Sequence, residues 1–187
     1  ALSSDGSAQG GVVWLYAGGT NHWPPHFCTA LFNRCAIFDN FATSSKSCMG
    51  CDAAAEGGVI YVSSCHGGVC AENMGFAHFS DCAIHDNYAT STSYFAVDTD
   101  GGVAFVYDAG SSLRFSRCNI EDNCAKGRAN ARGGVLSIDW SGSAEFEVCL
   151  VAANLASVSY SVKGGVAYLL RGGNLRFDGE RHHTASH

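Results

Sequence analysis

Cys48-Met49-Gly50-Cys51, followed closely by Cys65-His66-Gly67-Gly68-Val69-Cys70, has the ligand types and spacing of a tetrahedral zinc site. In an oxidising compartment Cys48, Cys51, Cys65 and Cys70, together with Cys28, would instead form disulfides that staple long loops, with the connectivity left open. Carboxylates form a second group. Asp39, Asp86 and Asp122 each stand directly before an asparagine. Stacked at a strand spacing of about 4.8 Å, they would approach the roughly 5–5.5 Å separation of a retaining glycosidase pair. An Asp before Asn also serves ordinary turn chemistry. The further Asp, Lys and Arg constellation of a polysaccharide lyase is missing. Asp98 and Asp100, just before Gly101, could hold Ca2+ with backbone carbonyls. There is no Gly-x-Ser-x-Gly elbow, phosphate loop or His-Glu-x-x-His. His78 and His85 recur in no other segment and suit a solvated face.

The elements that would position these groups are copies of one another. Gly-Gly-Val opens segments at Gly10, Gly57, Gly101, Gly133 and Gly164. Phe-x-x-Cys recurs as Phe32/Cys35, Phe79/Cys82, Phe115/Cys118 and Phe146/Cys149, and a fifth copy, Phe177 to Glu180, has Glu180 in the cysteine slot. Each cysteine leads into x-(Ile/Val)-x-x-Asn-x-Ala, at Ile37/Asn40/Ala42, Ile84/Asn87/Ala89, Ile120/Asn123/Ala125 and Val151/Asn154/Ala156. The Phe-to-Phe steps are 47, 36, 31 and 31 residues, so the unit is 31 and the first two copies carry insertions. A fixed period of this kind marks a solenoid, in which each unit buries its apolar face only by stacking on the next.

After Gly-Gly the aliphatic residues alternate, as in Val13/Leu15, Ile60/Val62, Ala104/Val106, Leu136/Ile138 and Ala167/Leu169, and would line one wall of a core. The intervening row, Trp14, Tyr61, Phe105, Ser137 and Tyr168, would then point outward. Its aromatics offer a strip for glycan stacking or protein contact, unless loops cover them. Phe and Cys stand three apart, so a corner must separate them. Three short strands and three corners per unit, with no helix-period stretch, predict an all-β fold: a single-stranded parallel β-helix of about five coils. Asn40, Asn87, Asn123 and Asn154 would stack as an amide ladder. Cys35, Cys82, Cys118 and Cys149 would stack beside them, as buried apolar residues or as bridged neighbours. Cys124 takes the slot of Phe41, Tyr88 and Leu155 and reads as a packing residue.

The repeats span residues 10–180 as one domain, after a polar lead-in at 1–9 and before a tail at 181–187 expected to continue into further repeats. Ala1 without a methionine is expected of a mature or truncated product. The net charge is −6 with scattered Lys and Arg, which argues against nucleic acid as a partner. No apolar run reaches the roughly 18 residues of a membrane span. Ten cysteines favour an extracellular or surface location. The first-half insertions, including residues 18–28, 43–56 and 65–70, are where a specific site would lie.

Gly-Gly-aliphatic strand starts closed by Ile-x-x-Asn-x-Ala resemble the repeats of the chlamydial polymorphic membrane protein type, whose motifs are Gly-Gly-Ala-Ile and Phe-x-x-Asn, and related repeats of protist and algal surface proteins. This chain differs by placing Val after Gly-Gly, by Ile or Val before x-x-Asn, and by its cysteine row. The resemblance implies a right-handed β-helix and a secreted or surface scaffold, often adhesive, and it assigns no catalytic residue. The expectation is a structural, non-enzymatic module that self-associates end to end and contacts glycans or surface proteins through its loops. A carbohydrate-binding or polysaccharide-degrading protein is the alternative.

Overall fold

A computed structural model of the chain describes residues 2–3, 8–17, 27–44, 54–63, 74–92, 98–127, 130–157 and 161–178. Every regular element among them is a strand. Coil 1 holds β1 (Leu2–Ser3), β2 (Ala8–Gln9), β3 (Val13–Tyr16), β4 (Phe27–Asn33) and β5 (Ala36–Phe38). Coil 2 holds β6 (Phe41–Ser44), β7 (Ala55–Glu56), β8 (Ile60–Ser63), β9 (Met74–Ser80) and β10 (Ala83–His85). Coil 3 holds β11 (Tyr88–Ser91), β12 (Asp98–Asp100), β13 (Ala104–Tyr107), β14 (Ser111–Ser116) and β15 (Asn119–Glu121). Coil 4 holds β16 (Cys124–Lys126), β17 (Asn130–Arg132), β18 (Leu136–Asp139), β19 (Ser143–Glu147) and β20 (Leu150–Ala152). Coil 5 holds β21 (Leu155–Ser157), β22 (Ser161–Lys163), β23 (Ala167–Leu169) and β24 (Asn174–Asp178).

Each strand pairs in parallel with the strand five places along. Four five-stranded sheets result, begun by β1, β2, β3 and β4 and called I to IV, with a four-stranded sheet V begun by β5. This is the parallel β-helix that the repeat predicts. Two expectations need correction. A coil contains five strands rather than three, because the segments after Asn and before Gly-Gly also extend and pair; at two to four residues they are too short to display an alternation. The lead-in is not outside the fold, since Leu2–Ser3 pairs with Thr43 and Ser44, and Ala8–Gln9 with Ala55 and Glu56.

Register follows the sequence repeat. Phe32, Phe79, Phe115, Phe146 and Phe177 are paired in one column, and their rings stack with centroids 4.4–5.2 Å apart and planes within 20°. The column of Ile37, Ile84, Ile120 and Val151 packs in one core with the sheet III aliphatics, and the column of Ala42, Ala89, Ala125 and Ala156 is buried as well. Such stacking removes apolar surface from water coil by coil, at about 25 cal/mol per Å2.

Left-handed residues turn the corners. Arg34, Asp81, Arg117 and Val148 separate Phe from Cys at φ of 52–54°, which is the predicted corner. Asp39, Asp86, Asp122 and Ala153 precede the asparagines at φ of 52–56°. Gly57, Gly101 and Gly133 occupy the same region at the third corner. The second glycine of each pair has a different reason: a Cβ on Gly58, Gly102 or Gly134 would overlap the carbonyl oxygen of the matching glycine in the next coil.

Candidate functional site

The asparagine ladder forms as predicted. Nδ2 of Asn40 donates to Oδ1 of Asn87 at 3.0 Å, Asn87 to Asn123 at 2.9 Å, and Asn123 to Asn154 at 2.9 Å. The same Oδ1 atoms accept from the backbone N–H of the preceding asparagine, and Nδ2 also donates to carbonyls such as Ile84 O and Glu121 O. The buried amides therefore satisfy one another and the corner backbone.

Cys35, Cys82, Cys118 and Cys149 are free thiols, the last three buried. Each Sγ–H donates to the carbonyl two residues back, at 3.2–3.5 Å. The thiols thus lean along their own strands, which fits the packing reading over bridged neighbours. Burial pushes the Cys82 thiol up to about 11, and the hydrogen bond to Cys149 followed by burial raises Cys118 as well. The raised Cys82 and Cys118 thiols are poor nucleophiles, whereas the hydrogen bond with Cys118 holds Cys149 below the ordinary thiol range. Cys28 is also free, and its Sγ–H donates to Tyr16 O at 3.2 Å, so it is not in a disulfide as expected. Cys48, Cys51, Cys65, Cys70 and His66 lie outside the described residues. Among the described residues no group of three or more His, Cys, Asp or Glu could hold a metal ion.

Asp39, Asp86 and Asp122 all occupy left-handed corners, a conformation that Asp tolerates, and Asp86 Oδ2 lies 2.8 Å from His85 Nδ1. This conformation is what the turn-chemistry reading requires. His85 stacks on Phe38 with 5.3 Å between centroids, and His78 Nε2 meets Ser116 Oγ at 3.0 Å. The outward aromatic row is only partly available. Trp14 is 61% exposed and Tyr168 intermediate, but Tyr61 and Phe105 are buried at 8% and 6%, so no continuous strip exists. Trp14, Tyr16, Phe27, Leu31 and Phe38 are exposed together on coil 1.

Sequence reasoning missed a charged column on sheet II. Gln9, Glu56, Asp100, Arg132 and Lys163 pair in register, one per coil, each immediately before a Gly-Gly. Arg132 Nη2 lies 2.8 Å from Asp98 Oδ2 and its Nη1 3.7 Å from Asp100 Oδ1. A guanidinium therefore occupies the place that the Ca2+ reading of Asp98 and Asp100 requires. The residue type before each Gly-Gly is the signal that could have revealed the column.

The last coil is where the internal columns come to the surface. Phe177 is 45% exposed, Val162 51% and Leu169 39%, whereas Phe115, Ala131 and Ile138 in the same columns are buried. A methyl group placed on Gly165 would meet nothing within 4 Å, in contrast to one on Gly58, Gly102 or Gly134. Among the described residues coil 5 thus presents edge strands and, at Gly165, room for one more carbonyl. Among the described residues no helix is long and apolar enough to cross a membrane. No protein-family model, curated protein or solved structure matches this chain.

Proposed function

We propose that this chain is a structural module of an extracellular or cell-surface assembly, a β-helix rod whose last coil receives a further coil of the same repeat. It would act as a segment of a longer repeat protein or as a subunit of a fibrous, adhesive structure. The observation that carries this reading is the vacant space beside Gly165, at the end of a series in which every other equivalent glycine touches the next coil. Open β edges and exposed core seek a partner. Placement outside the cell rests on the repeat resemblance and the cysteine-rich insertions. The polysaccharide-degrading alternative has less support, since its carboxylates turn corners and the aromatic row is covered at Tyr61 and Phe105.

Light scattering and electron microscopy over a concentration series test the proposal, with Gly165→Ala beside the native chain. The native chain is expected to give particles longer than one protomer along the coil axis. Gly165→Ala should abolish them without lowering the thermal midpoint, because the added methyl takes the space of the incoming carbonyl. Gly102→Ala, which meets the Gly134 carbonyl inside the rod, should destabilise the protomer itself. Native particles that remain single at every concentration, or elongation indifferent to Gly165→Ala, overturn the reading.

A further inference from the structure

The sheet II column brings acids onto two coils and bases onto the next two, and one of the acids is sealed from water. Asp100, on the outward side of β12, is only 3% exposed. Among the described residues its carboxylate accepts one hydrogen bond, from Ser137 Oγ at 3.0 Å. Its nearest cation, Arg132, stands 3.7 Å away and is committed to Asp98 at 2.8 Å. Asp98 is held further by Asn130 Nδ2 at 2.8 Å, and the Arg132 Nε is buried without a partner. Glu56 of β7 faces Asp100 from the preceding coil in register. Lys163 lies two coils further along the column, with Nζ 5.6 Å from the Tyr168 ring centroid. β11 and β16, packed against β12, bring no carboxylate, and Lys126 of β16 is exposed. Asp98 and Asp100 thus share one guanidinium.

We propose that Asp100 is a proton-operated clamp between coils: as a neutral acid it fits its enclosed site between Glu56 and Arg132, and as an anion it loosens the packing of coils 2, 3 and 4 along sheet II. The physical cause is desolvation. An enclosed carboxylate needs full compensation to remain ionised, and one hydroxyl donor with a guanidinium at 3.7 Å that it shares with Asp98 falls short. Burial accordingly raises the Asp100 carboxyl to about 7, with Glu56 and Asp98 adding to the rise and Arg132 and Ser137 opposing it. The sign follows from linkage. Since the folded chain holds a proton that the unfolded chain releases near 3.8, this group favours the fold most below about pH 4. Its contribution is lost as pH rises toward 7 and is constant above.

Urea midpoints of the native chain and of Asp100→Asn between pH 4.5 and 8.5, read beside the carboxyl 13C resonance of Asp100, test the clamp. The native midpoint should fall relative to that of Asp100→Asn across this interval, and the Asn variant should be the more stable of the two at pH 8.5. His78, whose imidazole burial lowers, drives stability the opposite way in both proteins, so it leaves the difference between them unchanged. Glu56→Gln should move the 13C transition to lower pH, and this arm holds if Asp100→Asn fails to fold. Parallel midpoint curves for the two proteins, a 13C transition below pH 5, or a Glu56→Gln transition that does not move would overturn the proposal.

Discussion

Phe115 and Phe177 stand in one column, two coils apart, each after a Leu-Arg pair but in opposite surroundings. Phe115 is stacked on both faces, by Phe79 at 5.2 Å and Phe146 at 4.9 Å, and is fully buried. Phe177 has Phe146 on one face at 5.0 Å and is nearly half exposed. The difference teaches that burial in this chain is conferred by the next coil and not by residue type. Stability is then a sum of coil-to-coil contacts.

The largest effect should come from that column. Phe115→Ala opens a cavity with walls on both sides and is expected to cost about 3–5 kcal/mol. Phe177→Ala leaves no enclosed void and should cost roughly 1–2 kcal/mol. Urea unfolding of the dispersed protomer measures both. Equal losses would break the comparison. A Phe177→Ala loss that grows with protein concentration would sharpen it, since the ring would then be sealed by another coil.

The asparagine ladder repeats the contrast with a polar group. Asn123 is buried, donates to Ile84 O, Glu121 O and Asn154 Oδ1, and accepts from Asn87. Its truncation orphans several enclosed groups, and about 3 kcal/mol should be lost in Asn123→Ala. Asn40 is only half-buried and caps the ladder, donating to Phe38 O and Asn87 Oδ1. Water can replace those contacts, so Asn40→Ala should cost about 1 kcal/mol. Hydrogen-exchange protection of the Asn87 and Asn123 amides provides a local readout, and unchanged protection in Asn123→Ala would contradict the ladder's role.

Those columns were legible in the sequence because a solenoid repeats each constraint. Phe, Cys, Ile and Asn recur at fixed offsets, and one correct alignment places all of them. The charged column was not legible in the same way. Gln9, Glu56, Asp100, Arg132 and Lys163 share a position but not an identity, so only the pairing register turns them into a site. The covering of Tyr61 and Phe105 was hidden for a related reason: alternation assigns a side chain to the outer face, while burial there depends on what lies over the face. The strands of sheets I and II, at two to four residues, are shorter than the window in which alternation becomes a signal.

The smallest effect concerns the corners of coil 4, compared with those of coils 2 and 3. At the corner before cysteine, Asp81 and Arg117 hold φ of 54° and 53° and share a bidentate ion pair, Nε to Oδ1 at 2.7 Å and Nη2 to Oδ2 at 2.8 Å. Val148 holds φ of 52° at the equivalent place, where a β-branched side chain crowds its own backbone. The valine is 40% exposed, so little burial offsets the strain. Val148→Asn keeps the backbone hydrogen bond from Val148 N–H to Asp178 O at 2.8 Å and supplies a side chain suited to this region. A gain of about 1 kcal/mol is expected, seen as a rise of roughly 2–4 °C in thermal midpoint. A fall instead would mean that the valine packs against something that compensates its strain, and the corner of coil 4 would then belong with the sealed coils and not with the open end.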